Sequence, residues 1–282
     1  MAEREIGTRM KNPRPFLKWV GGKGRSLDSI LPLIGSVRDY YEPFLGGGAV
    51  FFGMYRNGIA PRRCYLSDMN RELIVTWKTL QVFVQRVILR LEKMPYDKDF
   101  YLAERALDLE GLPDDVVAAR MIYLNKTGFN GMYRVNSKGK FNVPFGRHKN
   151  PLICDRENLL AVNTLLRMWD VALSVEDFQR AIKSAGSGDL VYLDPPYVPL
   201  TATANFTAYT PDGFSMDDQE RLAVTLEKLH DREVRWILSN SDTEWIHNRY
   251  SKFLISTVRV GRGVNSNTKK RGKVGEVLIT NF

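Results

Sequence analysis

The feature that most constrains this chain is a short apolar run that ends in an acid and two prolines. Asp189-Leu190-Val191-Tyr192-Leu193 leads directly into Asp194-Pro195-Pro196-Tyr197. Such a run suits a strand buried in a parallel sheet. Two prolines in succession have no N–H to give to a neighbouring strand, and they stiffen the exit turn. Similar strand candidates lie around Tyr40-Tyr41 and over Arg63-Cys64-Tyr65-Leu66, each followed by a turn and a helical pattern. A second such stretch begins near Val171. It continues through the Asp189 run to Val234-Arg235-Trp236-Ile237-Leu238. Ser215-Met216-Asp217-Asp218 resembles a capping box ahead of a helix whose core face is Leu222, Leu226 and Leu229. Phe253 to Val260 and Val274 to Thr280 read as a final antiparallel pair. Strands alternating with helices predict an α/β fold, a doubly wound, Rossmann-like sheet.

The alternation breaks in the middle of the chain. Leu80, Val84, Val87 and Leu91, then Val117, Met121 and Leu124, recur at helical spacing. Phe129 to Lys149 is rich in Gly, Asn, Arg and Lys. The reading is an α/β domain formed by residues 14–76 and 165–282, interrupted by a mainly helical insert over 77–164. The basic segment 129–149 is a hairpin or loop on that insert. Residues 1–13 are polar and expected to be disordered.

Composition narrows the partners. Forty-one Lys and Arg against 32 Asp and Glu leave a net charge of +9, which favours a polyanion. Cys64 and Cys154 form no CxxC pair and read as free thiols in a reducing compartment. His148, His230 and His247 have no metal-like spacing, so no metal is expected. The charged N-terminus lacks the apolar core of a secretory signal, and no stretch approaches the roughly 18 apolar residues that span a bilayer. A cytoplasmic protein with no membrane contact and no obligate protein partner is expected, monomeric in solution.

Glu42-Pro43-Phe44-Leu45-Gly46-Gly47-Gly48 follows the first strand, where glycines let backbone approach a ligand closely. Asp68 stands 22 positions after Gly46, near the spacing of about 20 at which an acid after the second strand binds ribose hydroxyls. Together these point to a nucleoside-containing cofactor, without separating a dinucleotide from S-adenosylmethionine. Asp194-Pro195-Pro196-Tyr197 separates them. An amine conjugated to a purine is a poor nucleophile, because its lone pair is delocalised into the ring. Two acceptors aimed at its N–H bonds, the Asp194 carboxylate and the Pro195 carbonyl, turn that lone pair toward an electrophilic methyl. Tyr197 can stack on the extruded base. Direct in-line transfer then draws on positioning. Lys23, in Phe16-Leu17-Lys18-Trp19-Val20-Gly21-Gly22-Lys23, is either a snorkelling loop residue or a group facing cofactor and DNA; spacing leaves both open.

Six blocks resemble the Dam-type family (D12 class) of site-specific DNA adenine methyltransferases. They are FLKWVGGK (16–23), EPFLGGGAVF (42–51), SDMN (67–70), YLNKTGFNGMYRVNSKGKFNVPFGRHK (123–149), DLVYLDPPYVPLTATANFTAY (189–209) and ILSNSDT (237–243), in the family's order. Phe129, Met132 and His148 stand where relatives often carry other residues. The resemblance implies that S-adenosyl-L-methionine is the cofactor. Its candidate contacts are Trp19, Lys23, Asp68 and Asp194, with Glu42, Phe44, Gly46 and Gly48 in the cofactor turn. It makes Asp194, Pro195 and Tyr197 the catalytic group and double-stranded DNA the partner, with GATC as the site.

In the insert, Phe129 and Asn130 match residues that wedge into the duplex and fill the space the adenine leaves. Arg134 and Lys18 match residues that meet the two guanines, and Met132 and Pro144 match the thymine side. Asn136, Arg147 and Lys149 join the DNA candidates. Bidentate Arg to guanine is a common specific contact, worth ~1–3 kcal/mol of discrimination, and an aromatic wedge offsets unstacking. Arg134, Lys138, Lys140, Arg147 and Lys149 form one acid-free cluster and Arg262, Lys269, Lys270, Arg271 and Lys273 a second; both should follow phosphates. The alternatives are a same-fold methyltransferase acting on another DNA site or on RNA, and a DNA-binding protein on an inactive scaffold. The block from Asn130 to Pro144 argues against the former, and the intact acceptor motif against the latter.

Overall fold

The computed structural model describes residues 12–198, 213–260 and 274–282. In chain order its elements are α1 (Leu27–Ile34), β1 (Asp39–Glu42), α2 (Ala49–Arg56), β2 (Arg63–Asp68), α3 (Arg71–Leu91), α4 (Lys98–Ala106), α5 (Asp114–Thr127), α6 (Arg156–Met168), β3 (Val171–Val175), α7 (Phe178–Ala181), β4 (Leu190–Leu193), α8 (Met216–Asp231), β5 (Arg235–Ser241), α9 (Glu244–Arg249), β6 (Leu254–Val260) and β7 (Val274–Thr280). The strands form one sheet in the order β3-β2-β1-β4-β5-β7-β6. Pairing is parallel from β3 to β5, and β7 runs antiparallel to both its neighbours. Each strand expected from the sequence is present, and the final pair is antiparallel.

The side-chain period of two builds two apolar layers. Tyr40, Leu190, Tyr192, Ile237 and Leu278 belong to one cluster. Their neighbours Tyr41, Val191, Leu193, Trp236, Leu238, Val277 and Ile279 belong to the other. Residues of α1, α2, α3, α5 and α6 complete the first layer. Residues of α7, α8 and α9 complete the second. Helices on both faces make the sheet doubly wound, as the alternation predicted. The expected capping box is formed: Ser215 Oγ accepts from Asp218 N–H at 3.1 Å, and Asp218 Oδ2 accepts from Ser215 N–H at 2.9 Å. Among the described residues, no helix is long and apolar enough to cross a membrane.

The connection from β2 to β3 carries most of the helix. Asn70 opens α3, its side chain accepting from Leu73 N–H at 3.0 Å. The apolar stripe Leu73, Ile74, Trp77, Leu80, Val84, Val87 and Leu91 is buried in one continuous cluster with Cys64 and Leu66 of the sheet and with Met121 and Leu124 of α5. Trp77 is fully buried; truncating it to alanine would cost about 3–5 kcal/mol.

Residues 128–145 form an open hairpin. Its bridges are Gly128 to Phe145 and Val135 to Phe141. Asn136 closes the tip by accepting from Lys138 and Lys140 N–H at 2.9 and 3.0 Å. Alternation again sorts the side chains: Tyr133, Val135, Phe141 and Val143 are buried, while Arg134, Asn136 and Pro144 are exposed and Met132 is half-buried.

Candidate active site

The parallel strands deliver their C-terminal ends to one edge of the sheet. Because β1 pairs with both β2 and β4, Glu42, Asp68 and Asp194 emerge around the point where the strand order reverses. Ligands of open α/β sheets bind at such a switch point.

Lys23 is 5% exposed. Its ammonium donates to both Asp194 oxygens, at 2.6 and 2.7 Å, and to the Gly21 carbonyl at 2.7 Å. It lies 3.5 Å from Glu276 Oε1 and 4.9 Å from the centre of the Tyr197 ring. The Tyr197 hydroxyl donates to the same Glu276 carboxylate, whose second oxygen accepts from Ser26 Oγ at 3.3 Å. Lys23 is thus a buried residue bonded to Asp194, and its ammonium does not snorkel to the surface. Burial raises the Asp194 pKa above the ordinary carboxylate range, and the adjoining ammonium opposes that rise. Burial, then Asp194 and Glu276, push the Tyr197 phenol well above its usual value, which keeps it neutral.

A buried amide network holds the loop after β4. Gln219 Nε2 donates to the Pro196 carbonyl at 2.7 Å. Asn240 Oδ1 accepts from Val198 N–H at 3.1 Å, and Ser241 Oγ donates to the Val198 carbonyl at 2.6 Å. Asn240 Nδ2 donates to Gln219 Oε1 at 3.2 Å. The Pro196 carbonyl is thereby occupied, while no donor among the described residues reaches the Pro195 carbonyl. That leaves Pro195 as the open acceptor beside the Asp194 carboxylate.

On the β2 side, Asp68 Oδ2 accepts from Gly46 N–H at 3.0 Å and Oδ1 from Asn70 N–H at 2.9 Å. A carboxylate has about four acceptor sites, so capacity for a ribose diol remains. Gly46 and Gly48 take positive φ of 48° and 65°. Packing by itself requires the absence of a side chain at both positions. A Cβ on Gly46 would lie 2.6 Å from Trp19 Cδ1, and one on Gly48 2.7 Å from the Trp77 ring. Two indoles fill that space, so the glycines admit aromatic rings before any ligand.

Glu42 sits beneath the turn, 3% exposed. It accepts from the Tyr40 hydroxyl at 2.9 Å and from the Phe51 N–H in the first turn of α2. Burial pushes its pKa up to about 8. Phe44 packs against both Phe178 and Phe214, with ring centres 5.7 Å from each, and those two rings touch each other at 6.1 Å.

Of the DNA candidates, Phe129, Asn130, Arg134, Asn136 and Pro144 are exposed on the hairpin, and Met132 is half-buried there. Phe129 is 48% exposed, and Asn130 has a positive φ of 55°. The Arg134 guanidinium is aimed by Asn142 across the strand, with Nε donating to Asn142 Oδ1 at 2.7 Å. Lys18, Arg147 and Lys149 are exposed, whereas the Asn136 side-chain oxygen is committed to the turn. His148 staples the hairpin base, its Nε2 lying 3.0 Å from the Gly128 carbonyl. The basic cluster from Arg262 to Lys273, the block residues 199–209 and residues 1–11 lie outside the described residues.

Glu276, Gln219, Asn240 and Asn142 had not been singled out from the sequence. The available signal for two of them is a polar residue inside an otherwise apolar strand: Glu276 in Val274–Thr280 and Asn240 in Arg235–Ser241. For Gln219 and Asn142 we find no comparable mark.

An acid held by a buried lysine, an open carbonyl next to it, a glycine turn and a second carboxylate at the neighbouring strand end lie together at the switch point. The family model of the D12 class N6 adenine-specific DNA methyltransferases matches residues 19–263, and the chain belongs to that family. It is 38% identical over 278 residues to the type II methyltransferase M1.LlaDCHI of Lactococcus lactis subsp. cremoris, covering 96% of each chain. It is 39% identical over 289 residues to the type II methyltransferase M.MjaIII of Methanocaldococcus jannaschii, covering 95% of this chain and 99% of that one. The DNA adenine methylase of Escherichia coli is 32% identical over 273 residues, covering 95% of both. The protein is a DNA adenine methyltransferase that uses S-adenosylmethionine.

Proposed function

We propose that this enzyme methylates adenine N6 within GATC in duplex DNA, flipping the base into the cleft and transferring the methyl directly in line. The observation that carries this reading is the pairing of a free Pro195 carbonyl with the Asp194 carboxylate, beside the half-buried Tyr197 ring. Asp194 and Pro195 accept the two N6–H bonds and turn the nitrogen lone pair out of the ring plane. Tyr197 stacks on the flipped adenine, its hydroxyl tethered to Glu276. Lys23 keeps Asp194 ionised, against burial, so that it can accept. S-adenosylmethionine supplies the electrophilic sulfonium methyl when bound. Trp19, Asp68 and the turn Glu42–Gly48 form its cradle: Asp68 for the ribose diol, Trp19 as an aromatic wall, and Glu42 and Phe44 as support beneath.

The insert, residues 77–164, reads the site, and the segments 14–76 and 165–282 carry the chemistry. Phe129 and Asn130 wedge into the gap, Arg134 and Lys18 read guanines, and Met132 and Pro144 contact thymine. Asn136, Arg147 and Lys149 follow the backbone, giving salt-dependent binding. The enzyme acts as a monomer in the cytoplasm. Radiolabelled S-adenosylmethionine incubated with duplexes that contain or lack GATC tests this directly. Label confined to the GATC duplex, at N6 of adenine, is expected. Equal labelling of both would remove the site assignment, and no labelling of either would remove the proposed active centre.

A further inference from the structure

The cofactor-side segment and the reading hairpin are fastened to each other at two points. Asn125, 3% exposed, accepts from Lys18 N–H and donates to the carbonyls of Lys18 and Gly131, all at 2.9 Å. One residue further on, Trp19 stacks on Tyr133, with ring centres 5.4 Å apart and planes 25° apart. The other side of that contact is the cofactor turn, where the Trp19 ring occupies the space beside Gly46.

Tyr133 sits between Met132 and Arg134 but points the opposite way, into the core. Its hydroxyl donates to Glu72 Oε2 at 3.1 Å. Glu72 Oε1 accepts from Arg120 at 2.7 Å. Arg120 is held in turn by the carbonyls of Glu104 and Arg105 at 2.6 and 3.2 Å. Among the described residues no backbone hydrogen bond holds Tyr133 itself. Its ring and hydroxyl therefore fasten this stretch of the hairpin, next to Arg134, whose own carbonyl accepts from Asn142 N–H at 3.0 Å.

We propose that Tyr133 is a positioning residue that couples cofactor binding to guanine reading. A cofactor seated against Trp19 fixes the Trp19–Tyr133 stack, and with it the strand carrying Arg134. By linkage, DNA seated on the hairpin tightens the cofactor by the same factor. The inference rests on the proposed roles of Trp19 and Arg134.

Calorimetric titration of S-adenosylhomocysteine, with and without a GATC duplex, measures the coupling as a ratio of two dissociation constants. The wild-type ratio is expected to be at least about fivefold. Tyr133→Leu, which removes both the stack and the hydroxyl, should bring it below about twofold, as expected when the linkage is lost. Tyr133→Phe keeps the ring and the fold and should lower the ratio part of the way. A wild-type ratio of one overturns the proposal, as does a wild-type ratio retained in Tyr133→Leu. Should the leucine variant not fold, an unchanged ratio in Tyr133→Phe overturns it. Failure of the wild-type protein to bind S-adenosylhomocysteine or the duplex at all would instead overturn the underlying functional reading.

Discussion

The proposed reacting centre and the hairpin proposed to read DNA are built on opposite physical terms. At the reacting centre, Lys23 meets Asp194 across 171 positions, and Ser26 meets Glu276 across 250. Its charges are buried, and each is paired or hydrogen-bonded. On the hairpin, Arg134 is aimed by Asn142 only eight positions away, and Asn136 closes a turn onto Lys138 and Lys140. Its charges are exposed. Burial makes electrostatics strong and intolerant of a missing partner; exposure makes single contacts weak and additive. The first region therefore suits chemistry, which needs a fixed geometry before substrate arrives. The second suits reading, where each contact adds a modest increment of discrimination.

The largest expected effect comes from breaking the buried side. Asp194→Ala removes an acceptor and leaves the Lys23 ammonium without its main partner. Methyl transfer should fall by at least about a thousandfold, the scale of losing a preorganised polar group, while duplex affinity in a filter-binding assay stays near wild type. A variant retaining most of its activity would overturn the role given to Asp194.

Arg134→Ala breaks the exposed side. It should lower discrimination at one guanine by ~1–3 kcal/mol, roughly 5–150-fold. Competing duplexes with a substituted guanine measure this. Rates on the cognate site should fall far less than in Asp194→Ala. Asn142→Ala, which only releases the guanidinium, should show the same change of preference at smaller amplitude.

The pH response sharpens the contrast further. Asp194 must be ionised to accept N6–H, and its pKa is raised by burial, so the rate is lost as pH falls through a value above the ordinary carboxylate range. Lys23→Met removes the ammonium that opposes this rise and should move the acid limb of kcat/KM to still higher pH. An unmoved limb would detach Lys23 from Asp194. Discrimination at the guanine should not follow this limb, because it belongs to the hairpin.

The last effect concerns stability alone. Glu42 has an ordinary pKa of 4.5 raised to about 8 by burial. The folded protein therefore holds a proton that the unfolded chain releases above about 4.5. This contribution to stability is complete below that value and is lost as pH rises through about 8. The melting temperature should fall across that window, and Glu42→Gln should flatten the slope. An identical slope in the variant would mean that another group is responsible.

The two regions also differ in how much of them could be read from the chain. On the hairpin, Met132, Arg134 and Asn136 came from the family resemblance; that they share a face is a result of strand alternation, which the structure shows. The strands, their order of appearance and the capping box at Ser215 were legible because they follow from local sequence patterns. Asp194, Pro195 and Tyr197 stood out because an acid and two prolines at the end of an apolar strand have few structural uses. Glu276 did not stand out, because it acts on Lys23 across the whole length of the chain. At the glycine turn, the rings of Trp19 and Trp77 that would meet a Cβ could not be foreseen; which ring fills a gap is a matter of packing, and spacing is silent on it.

By itself, then, the sequence determined the elements, their alternation and the residue types offered at each strand end, since these follow from backbone periodicity and local sterics. The tertiary structure alone decided which of those residues meet. It chose Asp194 and Glu276 as the partners of Lys23, engaged the Pro196 carbonyl while, among the described residues, leaving that of Pro195 open, and stacked Trp19 on Tyr133. Those choices depend on the register and packing of segments far apart in the chain. Only there does burial remove water from a charge and force it to find the one partner within reach.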